Sequence, residues 1–301
     1  MIEARQRSRA SLPLGWEVLL LVMLSLWVVT KAHGQSSRTT PEDFSGWGGS
    51  LDLAARYNPP GLALLGQLDY KAVFATSAEY GVPTHSLKGG VHAIVSPSMG
   101  QAGVQLEYQP LIVTKLRLEY DRYRYFGRFW SLLSFPTSQA DYGASALSAL
   151  EGEERATFGD RVQGTLILQA KVGAVFVRND VTYGYYLFAG PGPWFYESEH
   201  DVLLKDGDSL FKNRISLACQ LWAGSGDALL IAGPSYEVYR AEAAKRVRQR
   251  LGALLYLALA EQGWAGAPHF YLDVGVNLQD DNREAQPYVV GLVGTSWGSA
   301  R

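Results

Sequence analysis

The sequence has 301 residues, a formal net charge of −2 at pH 7 and 19% charged residues. This near-neutral balance excludes a whole-chain electrostatic argument for nucleic-acid binding, which rests on a strongly basic surface. The single cysteine, Cys219, excludes an intrachain disulfide. Length alone allows one or two domains, so the architecture has to be inferred from the residue pattern.

The first 34 residues predict a secretory signal peptide. Residues 18–29 form an apolar run, and the basic residues before it are Arg5, Arg7 and Arg9. Small residues at positions 32 and 34 match those that a signal peptidase reads, so we expect cleavage after residue 34. A membrane anchor is the alternative, but the run is shorter than the about 20 residues that a spanning helix needs. Residues 35–45 are expected to be a flexible N-terminal segment, and 46–301 the folded domain.

Residues 101–126 show a pattern that recurs along the rest of the chain. In this stretch Leu116 and Leu118 alternate with Arg117 and Glu119. A strand separates such residues onto two faces, whereas a helix would place Arg117 beside Leu118. The pattern predicts twelve strands, and the last has alternation too weak to assign its faces. Two strands fall within 101–126, and the others at about 46–57, 62–75, 85–96, 160–172, 175–189, 208–222, 228–240, 245–259, 269–279 and 286–298.

Strands with one apolar and one charged face fit either a membrane barrel or a soluble sandwich. A barrel turns the apolar face to lipid, whereas a sandwich buries it in a core. The two longest connections, 127–159 and 190–207, would share one end of an up-and-down barrel, as outer loops do. Aromatic residues end several apolar faces, as membrane interfaces favour: Tyr57, Tyr70, Phe74, Tyr108, Tyr120, Tyr183, Tyr185 and Tyr236. Both features favour the barrel.

Over residues 46–298 the chain resembles Gram-negative outer-membrane β-barrels, in pattern and not in a family-specific motif. The resemblance implies an all-β fold, a closed antiparallel up-and-down transmembrane barrel of about twelve strands. It also implies export to the bacterial outer membrane and contact with outer-membrane lipid and lipopolysaccharide. Arg122 and Arg124, on the lipid-facing side of a strand end, fit contact with lipopolysaccharide phosphates.

The predicted inner face is dense in charge, and its cations outnumber its carboxylates. Its sharpest feature is the column of guanidinium groups on one strand, Arg246, Arg248 and Arg250. Fixed cations in a narrow wet pore attract and orient anions. In this respect alone the column resembles the basic tracks of small twelve-stranded channels for acidic sugars. We therefore expect a passive channel for small anionic solutes. The further candidate lumen residues are Arg117, Glu119, Arg178, Asp180, Arg214 and Glu237.

Two alternative functions remain open. The arginines can pair with lumen carboxylates in a salt-bridge core, which gives a plugged or structural barrel. A lipid-modifying hydrolase would need a base, for which His92 is the candidate, with Ser96 or Ser98 nearby. The literal G-x-S-x-G match at 294–298 lacks the strand-to-helix elbow that this motif requires. The sequence predicts no cofactor, no metal site and no nucleic-acid-binding motif.

Overall fold

The computed structural model describes residues 44–77, 82–189, 192–224, 228–260, 266–280 and 282–298. Its strands are β1 (Gly46–Tyr57), β2 (Gly61–Thr76), β3 (Pro83–Val95), β4 (Met99–Leu111), β5 (Thr114–Phe126), β6 (Ser134–Phe135), β7 (Ala156–Val172), β8 (Val175–Phe188), β9 (Trp194–Glu197), β10 (Val202–Leu204), β11 (Asp208–Ala223), β12 (Leu229–Ala241), β13 (Arg246–Ala258), β14 (Ala267–Gln279) and β15 (Pro287–Gly298). A short helix, α1, covers Ala144–Ala149. The predicted signal peptide and most of the predicted N-terminal segment lie outside the described residues.

Twelve of these strands close into one antiparallel barrel, in which each strand pairs with its neighbours and β1 pairs with β15. Closure gives every strand a partner on both sides, as the backbone requires where no water is available. The predicted fold class and strand number are confirmed. The largest shift in a boundary is at β7, which begins at Ala156 and pairs there with Phe126 of β5.

The exterior of the barrel is apolar, because the alternation places one face of each strand outward. On β5, Leu118 is 62% exposed, whereas Asp121 on the opposite face is 0% exposed. The structure also assigns the faces of β15, where Tyr288 points inward at 4% exposure and Val293 outward at 54%. An apolar exterior of this extent is typical of a surface that contacts lipid. In the described part of the chain, no helix is both long and apolar enough to cross a membrane.

The two longest connections contain short strands that the sequence does not predict. The connection from β5 to β7 contains β6 and α1, and the connection from β8 to β11 contains β9 and β10. Together β6, β9 and β10 form a three-stranded antiparallel sheet, called the loop sheet below. The helix α1 lies within residues 144–154, a stretch in which the sequence allows a short helix. Both connections emerge at the same end of the barrel, opposite the short turns at 112–113 and 173–174.

Candidate functional site

The loop sheet packs against the inner wall of the barrel at the long-loop end. Phe195 of β9 and Leu204 of β10 are fully buried in one apolar cluster with inward-facing rings of the wall. Phe188 of β8 meets Phe195 edge to face, with ring centroids 5.1 Å apart, and Tyr125 of β5 joins the same cluster. Aromatic burial of this kind supplies most of the packing energy of a core. The wall and the loop sheet therefore share one hydrophobic core.

Asp201, between β9 and β10, joins the loop sheet to the opposite wall. Its Oδ2 lies 3.1 Å from Nη1 of Arg248 on β13 and 2.7 Å from Nε of Arg283 in the β14–β15 connection. The hydroxyl of Tyr196 donates a third hydrogen bond, of 2.7 Å, to Oδ1. Burial acts to raise the pKa of Asp201, but the two guanidinium groups and the tyrosine hydroxyl lower it below its ordinary value. Asp201 is therefore a buried carboxylate held in its charged form.

A series of hydrogen-bonded side chains, called the polar chain below, also connects the loop sheet to the wall formed by β3, β5 and β7. Glu199 accepts hydrogen bonds of 3.1 to 3.2 Å from Nη1 of Arg161, whose Nε donates to Asp121 at 2.9 Å. Asp121 in turn lies 2.6 Å from Nε2 of His92, and the hydroxyl of Tyr123 donates to Glu199 at 3.0 Å. Contacts on both sides of the lumen place the loop sheet across the barrel at this end.

The column of three arginines faces the lumen as predicted, and the structure places each member against protein groups. Arg246 donates to the backbone oxygens of Ser138 and Ala140 in the first long connection, and Arg248 pairs with Asp201. Arg250 lies 3.7 Å from a Glu237 carboxylate oxygen, and its Nε donates to Asn277. All three residues are less than 10% exposed. In this conformation Arg246 and Arg248 bind the long connections to the wall, and Arg250 binds neighbouring strands of the wall to each other.

The other predicted lumen residues also point inward, and each has a partner on the wall. Arg117 donates to Glu107 at 2.6 Å, and Glu119 accepts from Gln163. The remaining pairs are Arg178 with Asp180 at 2.9 Å, Arg214 with Asp273 at 2.7 Å, and Glu237 with Lys212 at 3.4 Å. The sequence pattern identifies which residues face inward, but it does not identify these pairings.

Toward the short-turn end, the lumen contains a cavity of about 1460 Å³, called the basic well below. It reaches the short turns at 112–113 and 173. The cations along its lining are Lys71, Lys171, Arg178 and Arg214. Asp180 is the one carboxylate among the described lining residues, and Arg178 is half exposed beside it. The well therefore has a cationic lining, which attracts anions.

A catalytic or metal-binding role has less geometric support. Within the described residues, His92 is bonded to Asp121 and to no serine hydroxyl, and it faces the lumen away from lipid. The G-x-S-x-G match lies in the regular strand β15. Ligand atoms of Glu197, Glu199 and His200 fall within 4.8 Å of one another. However, Arg161 donates hydrogen bonds to both carboxylate oxygens of Glu199. A cation so close to the site opposes the binding of a metal ion.

No protein-family model matches the sequence, and no curated protein is similar to it. Among solved structures, the β domain of the Bordetella autotransporter BrkA is 13% identical and covers 85% of this chain and 100% of its own, with a TM-score of 0.43. The KdgM porin in complex with disordered oligogalacturonate is 11% identical over 82% of this chain and 98% of its own, with a TM-score of 0.35. LpxR from Salmonella typhimurium is 8% identical over 82% of this chain and 99% of its own, with a TM-score of 0.38.

These similarities are too weak to transfer a function or a site. The architecture itself is clear from the strand pairing and the apolar exterior: the chain is a twelve-stranded β-barrel of the outer-membrane type.

Proposed function

We propose that this protein is a bacterial outer-membrane barrel that its own long loops close at one end, and that binds small anionic solutes in the basic well. Bacterial outer-membrane barrels carry their long loops on the extracellular side. On that basis the loop sheet closes the outer mouth, and the well opens toward the periplasm.

The observation that carries this proposal is the separation of charge across the loop sheet. At the sheet itself, Asp201 and Glu199 neutralise arginines of the wall and of a neighbouring loop. Beneath it, four cations share the lining of the well with one carboxylate. A cationic cavity with low-dielectric walls concentrates anions, and more strongly so than an open surface with the same charges.

Calorimetric titration of the purified protein with citrate tests anion binding in the well. We expect saturable binding that weakens with added salt, because the attraction is between charges. Replacing Lys171 and Arg178 together by Ser should weaken binding about tenfold or more, since each hydrogen bond to a charged group contributes about 1.5 to 3 kcal/mol. Lys205→Ser is the matched control, because Lys205 is exposed in the long-loop region at the other end.

Absence of citrate binding, or an unchanged affinity in the Lys171→Ser, Arg178→Ser variant, would overturn the assignment of the well. A loss of affinity in the Lys205→Ser control would move the binding site to the loops. Heat-modifiable migration on a gel should be measured for each variant, so that a folding defect is recognised as such.

A passive anion channel is the second candidate, and the position of the arginine column favours it. Arg246 and Arg248 bind loop groups, so displacement of the loops would leave the column lining an open path. Planar-bilayer recording separates the two candidates. Steady conductance with anion preference, lost when Arg246, Arg248 and Arg250 are replaced by Ser, supports the channel. Absence of conductance in the wild type supports the closed barrel.

A further inference from the structure

The outward face of the barrel carries a cationic patch where β5 and β7 approach the long-loop end. Arg122 and Arg124 of β5 point outward in register with Asp160 and Phe158 of β7. We propose that this patch, called the arginine rim below, binds the phosphate of a phosphorylated lipid of the outer leaflet. The site lies on the opposite side of the wall from the basic well, so this proposal is independent of the proposed anion binding.

The height of the arginine rim matches the depth of lipid head groups. Along the outward face of β5, Leu116 and Leu118 are followed by Tyr120, then by Arg122 and Arg124. Tyrosine is enriched where hydrocarbon meets the polar head groups. With a rise of about 3.3 Å per residue, Arg122 lies about 6 to 7 Å farther along the strand than that tyrosine, on the polar side of the interface.

The charges of the rim are only partly balanced by protein groups. Arg122 makes a two-oxygen contact with Asp160, at 2.9 and 3.0 Å, and Asp160 also accepts from the hydroxyl of Tyr120 at 2.7 Å. Arg124 lies over the ring of Phe158, with its guanidinium carbon 4.1 Å from the centroid. Among the residues that the structure describes, none pairs a carboxylate with Arg124. The patch therefore keeps one uncompensated cation, already oriented by a ring.

The shape of the neighbouring strand leaves this cation accessible from the lipid side. On β4, Gly100 lies in register with Arg124, and Ala102 with Arg122. These are the two smallest residue types, so neither covers its arginine. Exposed apolar groups flank the patch: Phe126, Phe158 and Leu187. A soluble anion would gain nothing from those groups, whereas a lipid can place its phosphate on the guanidinium and its chains against them.

The adjoining long connection does not contribute net positive charge to the patch. It exposes Arg128 and Arg155, but it also exposes Glu151 and Glu153. The proposal therefore rests on Arg124, assisted by Arg122 and Phe158.

Native mass spectrometry of the detergent-solubilised protein tests the proposal, with diphosphorylated lipid A as the probe. We expect the wild type to retain one lipid A molecule in preference to phosphatidylcholine. Arg124→Gln should weaken retention about fivefold, and Arg122→Gln with Arg124→Gln about tenfold or more, since each arginine at a membrane surface contributes about 1 kcal/mol. The single variant leaves the Arg122–Asp160 pair intact, so it separates binding from folding.

Arg240→Gln is the matched control, because Arg240 lies at the same end of the barrel and pairs with Glu242 at 3.4 Å. It should retain lipid A as the wild type does. Equal retention by the wild type and both rim variants would overturn the proposal, as would an equal effect of Arg240→Gln. A competition arm with inorganic phosphate decides the source of the ligand. Displacement of lipid A by phosphate at matched concentration would show a site for soluble anions and would also overturn it.

Discussion

Nη1 of Arg248 lies 3.1 Å from Oδ2 of Asp201, and both side chains are almost completely buried. The contact joins β13 of the barrel wall to the turn between β9 and β10 of the loop sheet. Because Arg283 binds the same carboxylate oxygen, at 2.7 Å, one aspartate balances two cations from different elements. Asp201 is therefore one of two carboxylates, with Glu199, that attach the loop sheet to the barrel wall.

Replacing Asp201 by Asn should loosen the loop sheet and make the barrel leak. The variant removes the nearest counter-charge of two buried guanidinium groups, and removing one partner of a buried pair costs about 3 to 5 kcal/mol. We expect the midpoint of thermal unfolding to fall and frequent openings to appear in planar-bilayer recordings.

Glu242→Gln is the control for that experiment, because both side chains of the Arg240–Glu242 pair are exposed to solvent. An exposed pair contributes about 0 to 1 kcal/mol, so this variant should behave as the wild type. If Asp201→Asn remains as closed and as stable as the wild type, the loop sheet is held by its apolar core instead.

Acidification should release the other attachment of the loop sheet, at Glu199. Burial acts to raise the pKa of this carboxyl, but Arg161 and His200 lower it from 4.5 to about 2. A lowered pKa means that the charged contact is fully present above pH 4.5 and is lost as pH falls toward 2. Loop docking should therefore be constant near neutral pH and weaken across that acidic window.

Protease accessibility of the long loops, followed against pH in the detergent-solubilised protein, measures this release. Glu199→Gln should increase cleavage at neutral pH and remove the part of the transition that belongs to this residue. A transition centred near pH 6 would point to histidine instead and would contradict the assignment to Glu199.

The barrel could be predicted from sequence because strand alternation is a local signal. Leu118 is apolar and Glu119 is charged, and the structure places the leucine on the exterior and the glutamate in the lumen. Such a pattern repeats across all strands but the last, so the number of strands and most of the inward-facing residues can be inferred without knowledge of tertiary contacts.

The loop sheet could not be predicted because its signals are tertiary. The strands of this sheet are two to four residues long, too short for a period to be recognised. Asp201 lies 47 residues from Arg248 and 82 from Arg283 in the sequence, and nothing local marks them as partners. The sequence therefore predicts a basic track, whereas in the structure its central arginine, Arg248, is paired with the loop carboxylate of Asp201.

Gly103→Ala should destabilise the polar chain between His92 and Arg161. A Cβ at this position would lie 2.3 Å from Oδ1 of Asp121 and 2.6 Å from the backbone oxygen of Tyr120, so the aspartate has to move away from its partners. We expect a loss of about 1 to 3 kcal/mol in the free energy of unfolding, as for other overpacked interiors. Denaturant unfolding followed by tryptophan fluorescence provides the measurement.

Gly291→Ala is the counterpart on β15, since its nearest contact to an added Cβ is 4.0 Å away. It should leave stability almost unchanged. Equal stability of the Gly103→Ala and Gly291→Ala variants would show that the wall around Asp121 can yield, contrary to the packing described above.

The single cysteine allows a direct test of which face of the barrel meets lipid. Cys219 is exposed on the outward face of β11, between the exposed side chains of Leu217 and Leu221. In liposomes it should react with a lipid-soluble maleimide and resist a charged, membrane-impermeant thiol reagent.

Ser216→Cys in a Cys219→Ser background should show the reverse preference, because Ser216 lines the basic well and is open to water. The two reaction rates can be followed by mass spectrometry of the intact protein. If native Cys219 reacts with the impermeant reagent as fast as the S216C variant does, the apolar face is not in hydrocarbon and the membrane orientation of the barrel is wrong.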